Sequence, residues 1–185
     1  MFFDTHAHYD DKAFDEDRDE LLPTLYAKGV ERILDPGCTL ESSRKAMELA
    51  EKYPFVYFAA GIHPEELGDF TEDALRGIEK LAAHPKCAAI GEIGLDYYWD
   101  ASRKDEQKAL FKRQAELALR LNKPVIIHDR EAHADSMEIA FSYPGLRGVF
   151  HCFSGSVETM KEIVSLGMYI GLGGATTFKN AVKPL

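Results

Sequence analysis

The sequence predicts an α/β fold: a parallel (β/α)8 barrel of the TIM type, with the eighth β/α unit missing from this chain. Three observations predict it. Short apolar runs alternate with helically spaced segments along all 185 residues, and such alternation places helices over a parallel sheet. Polar side chains close several of the runs, as they do at the active-site end of a barrel. No G-x-G-x-x-G follows the first run, which disfavours a doubly wound sheet with a single switch point. No linker or low-complexity tract divides the chain, so residues 1–185 read as one barrel domain, C-terminally incomplete.

The apolar runs, in order, are Phe2–Asp4 leading into His6, Val30–Leu34, Phe55–Ile62, Cys87–Leu95, Pro124–Ile127, Gly148–Cys152 and Met168–Leu172. Pro23 falls awkwardly inside the first helical region, or else marks that helix's first turn. Met47, Ala50 and Tyr53 form one helical stripe, and Leu75, Ile78 and Leu81 form another behind Thr71 as N-cap. Leu110, Gln114, Leu117 and Leu121 line a longer helix that ends before Pro124. Met160, Ile163 and Val164 follow Ser156 as N-cap, and Gly167 stops that helix. A closed barrel needs eight strands in about 250 residues, and Phe178 to Leu185 reads as the opening of a further helix. The expectation is that a missing C-terminal segment, or a second chain, completes the barrel. Residues 1–185 alone are not expected to form a stable, fully active monomer.

Composition bounds the function. Hydrophobic residues make up 45% and charged residues 29%, ordinary values for a globular protein. A formal net charge of −9 argues against coating duplex nucleic acid, which rests on Lys and Arg. It leaves room for an enzyme that grips a strand end with the help of bound cations. Cys38, Cys87 and Cys152 show no C-x-x-C spacing, so the expectation is reduced thiols and a cytoplasmic location. No run approaches the roughly 20 residues needed to span a bilayer, and no export signal is visible, so no membrane partner is expected.

The chemistry lies at the ends of the runs. His6 and His8 close the first, Glu92 the fourth, His128 the fifth and His151 the sixth. Residues two apart in a strand share a face, so His6 and His8 can hold one metal ion. The two oxygens of Glu92 can bridge two cations, and His128 with His151 can hold the second. His63 precedes Pro64 at another run's end, where it can touch substrate phosphate or orient a ligand, and Arg130 can pair a phosphate. Tyr97, Tyr98 and Trp99 can stack bases or pack their loop, and Ser154-Gly155-Ser156 can hold an anion or cap a helix. Asp96 reads as a supporting residue, Cys152 as core, and the early acidic residues, Asp10 among them, as solvated loop. His84 and His133 read as surface residues.

Five motifs extend this reading. They are Asp4-Thr5-His6-Ala7-His8, Gly61-Ile62-His63-Pro64, Gly91-Glu92-Ile93-Gly94-Leu95-Asp96-Tyr97-Tyr98, Asn122-Lys123-Pro124-Val125-Ile126-Ile127-His128 and His151-Cys152-Phe153-Ser154-Gly155. In series they resemble the TatD family of metal-dependent deoxyribonucleases. The resemblance implies a barrel of the metal-dependent hydrolase type and two divalent ions; His and carboxylate ligands suit Zn, Mn, Ni or Fe, and Mg only with more oxygen ligands. It implies cleavage of DNA phosphodiesters by a metal-activated water, often from a 3′ end, with single-stranded DNA or strand ends as partner. One ion would sit on His6 and His8, a second on His128 and His151, and Glu92 would bridge them; from the residues alone, His63 and Arg130 join Glu92 as catalytic candidates, against a structural hydrogen bond for His63 and a surface ion pair for Arg130. The family's catalytic aspartate, in a T-D-x-P context after the eighth strand, has no counterpart up to Leu185. Two other readings stay open: an ester or amide hydrolase such as an aminoacyl-tRNA deacylase, and a catalytically inactive metal-binding fragment.

Overall fold

The computed structural model describes residues 1–179; the helix expected over 178–185 lies outside them from residue 180 on. Strands and helices alternate throughout. They are β1 Phe2–Asp4, α1 Arg18–Ala27, β2 Val30–Pro36, α2 Leu40–Lys52, β3 Val56–Ala60, α3 Glu72–Ala82, β4 Cys87–Asp96, α4 Lys104–Arg120, β5 Val125–Arg130, α5 His133–Phe141, β6 Gly148–Phe150, α6 Val157–Ser165 and β7 Tyr169–Ile170. All strand pairs are parallel, in the order β1-β2-β3-β4-β5-β6-β7. The curled sheet is that of a TIM-type barrel, and the expected fold class holds. Among the described residues β1 pairs only with β2, and β7 only with β6.

Alternation along the strands separates two cores. Leu34, Ala59, Ala89 and Ile126 pack with Tyr57 and Val149, a set made of strand residues alone and therefore the sheet's inner face. Their chain neighbours Ile33, Phe58, Ala60, Ile90, Val125 and Ile127 turn the other way and join the helical residues Leu22, Ala46, Ile78, Leu110 and Phe111. Burying a side chain such as Phe111 stabilises the fold by about 1.5–3 kcal/mol. No helix among the described residues is long and apolar enough to cross a membrane.

Local chemistry sets the helix ends. Thr39, Thr71 and Ser156 accept backbone N–H bonds from Ser42, Ala74 and Thr159, satisfying donors that a helix start leaves free. Gly167 takes φ 77° after α6, a conformation glycine adopts without a Cβ clash. Pro23 is not in the first turn of α1 but five residues into it, and the helix continues through.

Two buried glutamines on α4 tie the helix to the strand ends that matter below. Gln114 accepts from the Ile62 N–H and donates to the Ile62 carbonyl, at 2.8 and 2.9 Å. Gln107 makes the same reciprocal pair with Asp96, both bonds at 2.8 Å. Seven residues apart, the two side chains lie on one helix face. Gln114 occupies a position in the apolar stripe, yet its amide completes the backbone bonding of the loop that carries His63.

Candidate metal centre

Each predicted ligand reaches the same end of the sheet by a backbone bond that fixes its segment. The Ala7 N–H donates to the Leu34 carbonyl at 3.2 Å, holding the His6–His8 stretch beside β2 although β1 itself stops at Asp4. Glu92 N–H donates to the Gly37 carbonyl at 2.8 Å, and His151 N–H to the Ile127 carbonyl at 3.0 Å. His128 stands opposite Gly94 in the β4–β5 register. A Cβ at Gly94 would fall 2.0 Å from the His128 carbonyl oxygen, so only glycine fits there.

The side chains converge on Glu92, which is 2% exposed. Its Oε1 lies 2.5 Å from His151 Nε2, 2.9 Å from His128 Nδ1 and 3.6 Å from His63 Nε2. Its Oε2 faces the other pair, 3.2 Å from His6 Nε2 and 3.4 Å from His8 Nε2. The two oxygens thus divide the histidines into the two sets read from the sequence, with His63 added to the second. His63–Glu92–His128, within the second set, brings three donor atoms within 4.8 Å of one another, and so does His6–Glu92–His151, which cuts across the division. The His6 and His151 rings also stack, with centroids 3.9 Å apart.

The imidazoles approach one another as well as the carboxylate. His6 Nε2 is 3.1 Å from His8 Nε2, and His128 Nδ1 is 3.3 Å from His151 Nε2. His6 Nδ1 and His151 Nδ1 are buried and have no hydrogen-bond partner among the described residues. Crowded ring nitrogens around one buried carboxylate are a donor set that divalent transition metals suit, so the residues fit a metal.

Electrostatics follow from the same contacts. Burial opposes the charge on Glu92, but hydrogen bonds from His128, His151, His6 and His63 hold its carboxyl well below the ordinary range. Burial also opposes protonation of His8 and His128; bonding to Glu92 and its charge outweigh this and raise both. For His6 burial wins, and the ring is shifted down. His151, against the effect of burial, is pushed up to about 9 by Cys152 and Glu92.

Asp96 supports His128 from behind. Its Oδ2 lies 2.9 Å from His128 Nε2, and its Oδ1 accepts the Tyr98 and Trp99 N–H groups at 2.9 and 3.0 Å. A carboxylate on the far nitrogen of a ligating imidazole fixes its tautomer and direction. Arg130 is exposed and stacks over the Tyr98 ring at 4.1 Å and the Trp99 ring at 5.8 Å. Tyr97 turns away and donates from its hydroxyl to Asp135 at 2.6 Å, so only Tyr98 and Trp99 of the aromatic run face solvent.

Three expectations are corrected. Cys152 is exposed, not core: β6 ends at Phe150, and Cys152 takes φ 44°, so strand alternation no longer governs it. Asp10 is half-buried instead of solvated, because it lies against Asp35. His133 is not an ordinary surface residue, since its Nδ1 lies 2.6 Å from Asp129. Asp35 was missed altogether. It is fully buried at the end of β2, and the rule that selected His128, a polar residue closing an apolar run, selects it too.

A parallel barrel-type sheet with five imidazoles and a carboxylate at one end defines a metal-dependent hydrolase. The chain belongs to the TatD family: the sequence model described as "TatD related DNase" matches residues 3–184. It is 44% identical to "Uncharacterized metal-dependent hydrolase YabD" of Bacillus subtilis (strain 168), over 100% of this chain and 73% of that protein. It is 36% identical to "3'-5' ssDNA/RNA exonuclease TatD" of Escherichia fergusonii, over 93% of this chain and 67% of the relative. The crystal structure of YJJV, a TatD homologue from Escherichia coli K12, superposes with a TM-score of 0.89 at 34% identity, covering 96% of this chain and 70% of that one.

Proposed function

We propose that the chain carries the metal centre of a 3′-to-5′ exonuclease acting on single-stranded DNA, and on RNA as the relative's name suggests. The observation that carries the reading is the division of the histidines between the two oxygens of buried Glu92. His6 and His8 would hold one divalent ion, His128 and His151 the other, and Glu92 would touch both. Cations so bound polarise a phosphate oxygen and acidify a water, which is the chemistry phosphodiester hydrolysis requires.

The chain's own residues supply the rest. Asp96 keeps the His128 ring aimed at Glu92. His63, buried at the end of its loop, adds an imidazole beside Glu92 Oε1 where a phosphate oxygen would approach. Arg130 has no carboxylate partner among the described residues, so its guanidinium is available to a phosphate. Tyr98 and Trp99 offer faces on which terminal bases can stack. A terminal phosphodiester at the metal centre with its bases on this platform suits an exonuclease of low sequence preference.

The test is incubation with a single-stranded DNA labelled at its 5′ end, with Mn2+, with Mg2+ and with EDTA. A ladder of products shortening from the 3′ end, dependent on metal, is expected. Intact DNA together with metal-dependent release of amino acid from aminoacyl-tRNA would transfer the proposal to the deacylase reading.

A further inference from the structure

The Glu92 cluster does not account for Asp35. This side chain is 0% exposed, and neither of its carboxylate oxygens has a hydrogen-bond partner among the described residues. A carboxylate in that position must be neutralised by a proton or by a cation. Asp10 meets it from the segment after β1, and one donor atom each from His8, Asp10 and Asp35 lie within 4.8 Å of one another. Two carboxylates this close, one of them fully buried, repel each other unless positive charge sits between them. Arg18 is committed elsewhere, to the Tyr9 and Asp11 carbonyls and the Asp15 carboxylate.

We propose that Asp10 and Asp35, with His8 at their margin, form a binding site for a hard divalent cation distinct from the Glu92 cluster. The donors differ in kind. Two carboxylates suit Mg2+, Mn2+ or Ca2+, whereas the Glu92 cluster is rich in imidazole. His8 turns Nε2 toward His6 and Glu92, so its ring is the wall between the two centres. A cation here neutralises the acid pair and ties the segment bearing His6 and His8 to the end of β2. Its role is to fix the position of two residues of the neighbouring centre.

Mn2+ is the probe. Crystals of the chain equilibrated with Mn2+ are expected to give anomalous density between Asp10 and Asp35, apart from density at Glu92. In Asp35→Asn the first peak disappears while the second remains, and equilibrium dialysis counts one Mn2+ fewer per chain. Asp10→Asn, at a half-exposed position, is expected to lose the same equivalent and carries the test if Asp35→Asn does not fold. Density at Glu92 alone in the Mn2+-saturated wild type, or an Mn2+ count unchanged in the folded variant, overturns the proposal. Density at Glu92 reports separately on the proposed function.

Discussion

Replacing Glu92 by Gln removes one charge and almost no volume, which makes it a sharp perturbation of the centre. The wild-type carboxylate faces five imidazole nitrogens at 2.5–3.6 Å while only 2% exposed. Losing a mere supporting partner of a metal ligand costs about 10–100-fold in affinity or activity. If Glu92 touches two ions, as proposed, its loss should cost at least the upper end of that range, about 100-fold. Metal affinity is read by competition with a fluorescent chelator, and turnover by nucleotide release with metal in excess. Stability adds a second readout. Because the folded Glu92 carboxyl is held below its usual range, its contribution is present above the unfolded value of about 4.3 and is lost as pH falls through the folded one. Measured in EDTA, wild type should therefore exceed Glu92→Gln in stability at neutral pH, with the gap closing in acid. Metal affinity and turnover within a few-fold of wild type would refute the argument.

Three further outcomes are expected. Asp96→Asn should lower metal affinity by about 10–100-fold while leaving the far-ultraviolet spectrum unchanged, and an unaltered affinity would remove Asp96 as the support of His128. Tyr98→Ala and Trp99→Ala should raise KM for oligonucleotides with little change in kcat, since stacking contributes about 1–3 kcal/mol per base; a selective fall in kcat would contradict a binding platform. Phe2 on β1 is 69% exposed and Tyr169 on β7 is 75% exposed, each beside an edge that lacks a second partner among the described residues. Such edges recruit other chains, so residues 1–185 should associate with rising concentration in sedimentation velocity, and Phe2→Lys with Tyr169→Lys should reduce it. A concentration-independent monomer would exclude pairing through these edges.

Periodicity made most of the fold legible. The strand at Cys87–Asp96 and the helix at Lys104–Arg120 follow from apolar runs and stripes because burial on one or two faces dictates them. The residues that converge on Glu92 were legible for a related reason: His128 and His151 interrupt or end sequences that otherwise favour a buried strand. What escaped depended on contacts between distant segments. Asp35 looks like a strand-ending acid until Asp10 is folded against it, and the buried Gln114 amide has a reason only once the Ile62 backbone is beside it. Cys152 was misassigned because the strand ends two residues earlier than its apolar run.

The central claim is that one carboxylate joins two cations, and electron paramagnetic resonance of the chain loaded with Mn2+ tests it most directly. A pair bridged by Glu92 is spin-coupled and gives a multiline spectrum, which Glu92→Gln converts to the six-line signal of separate ions or abolishes. A six-line signal alone in the fully loaded wild type, whatever the metal count, would contradict the account.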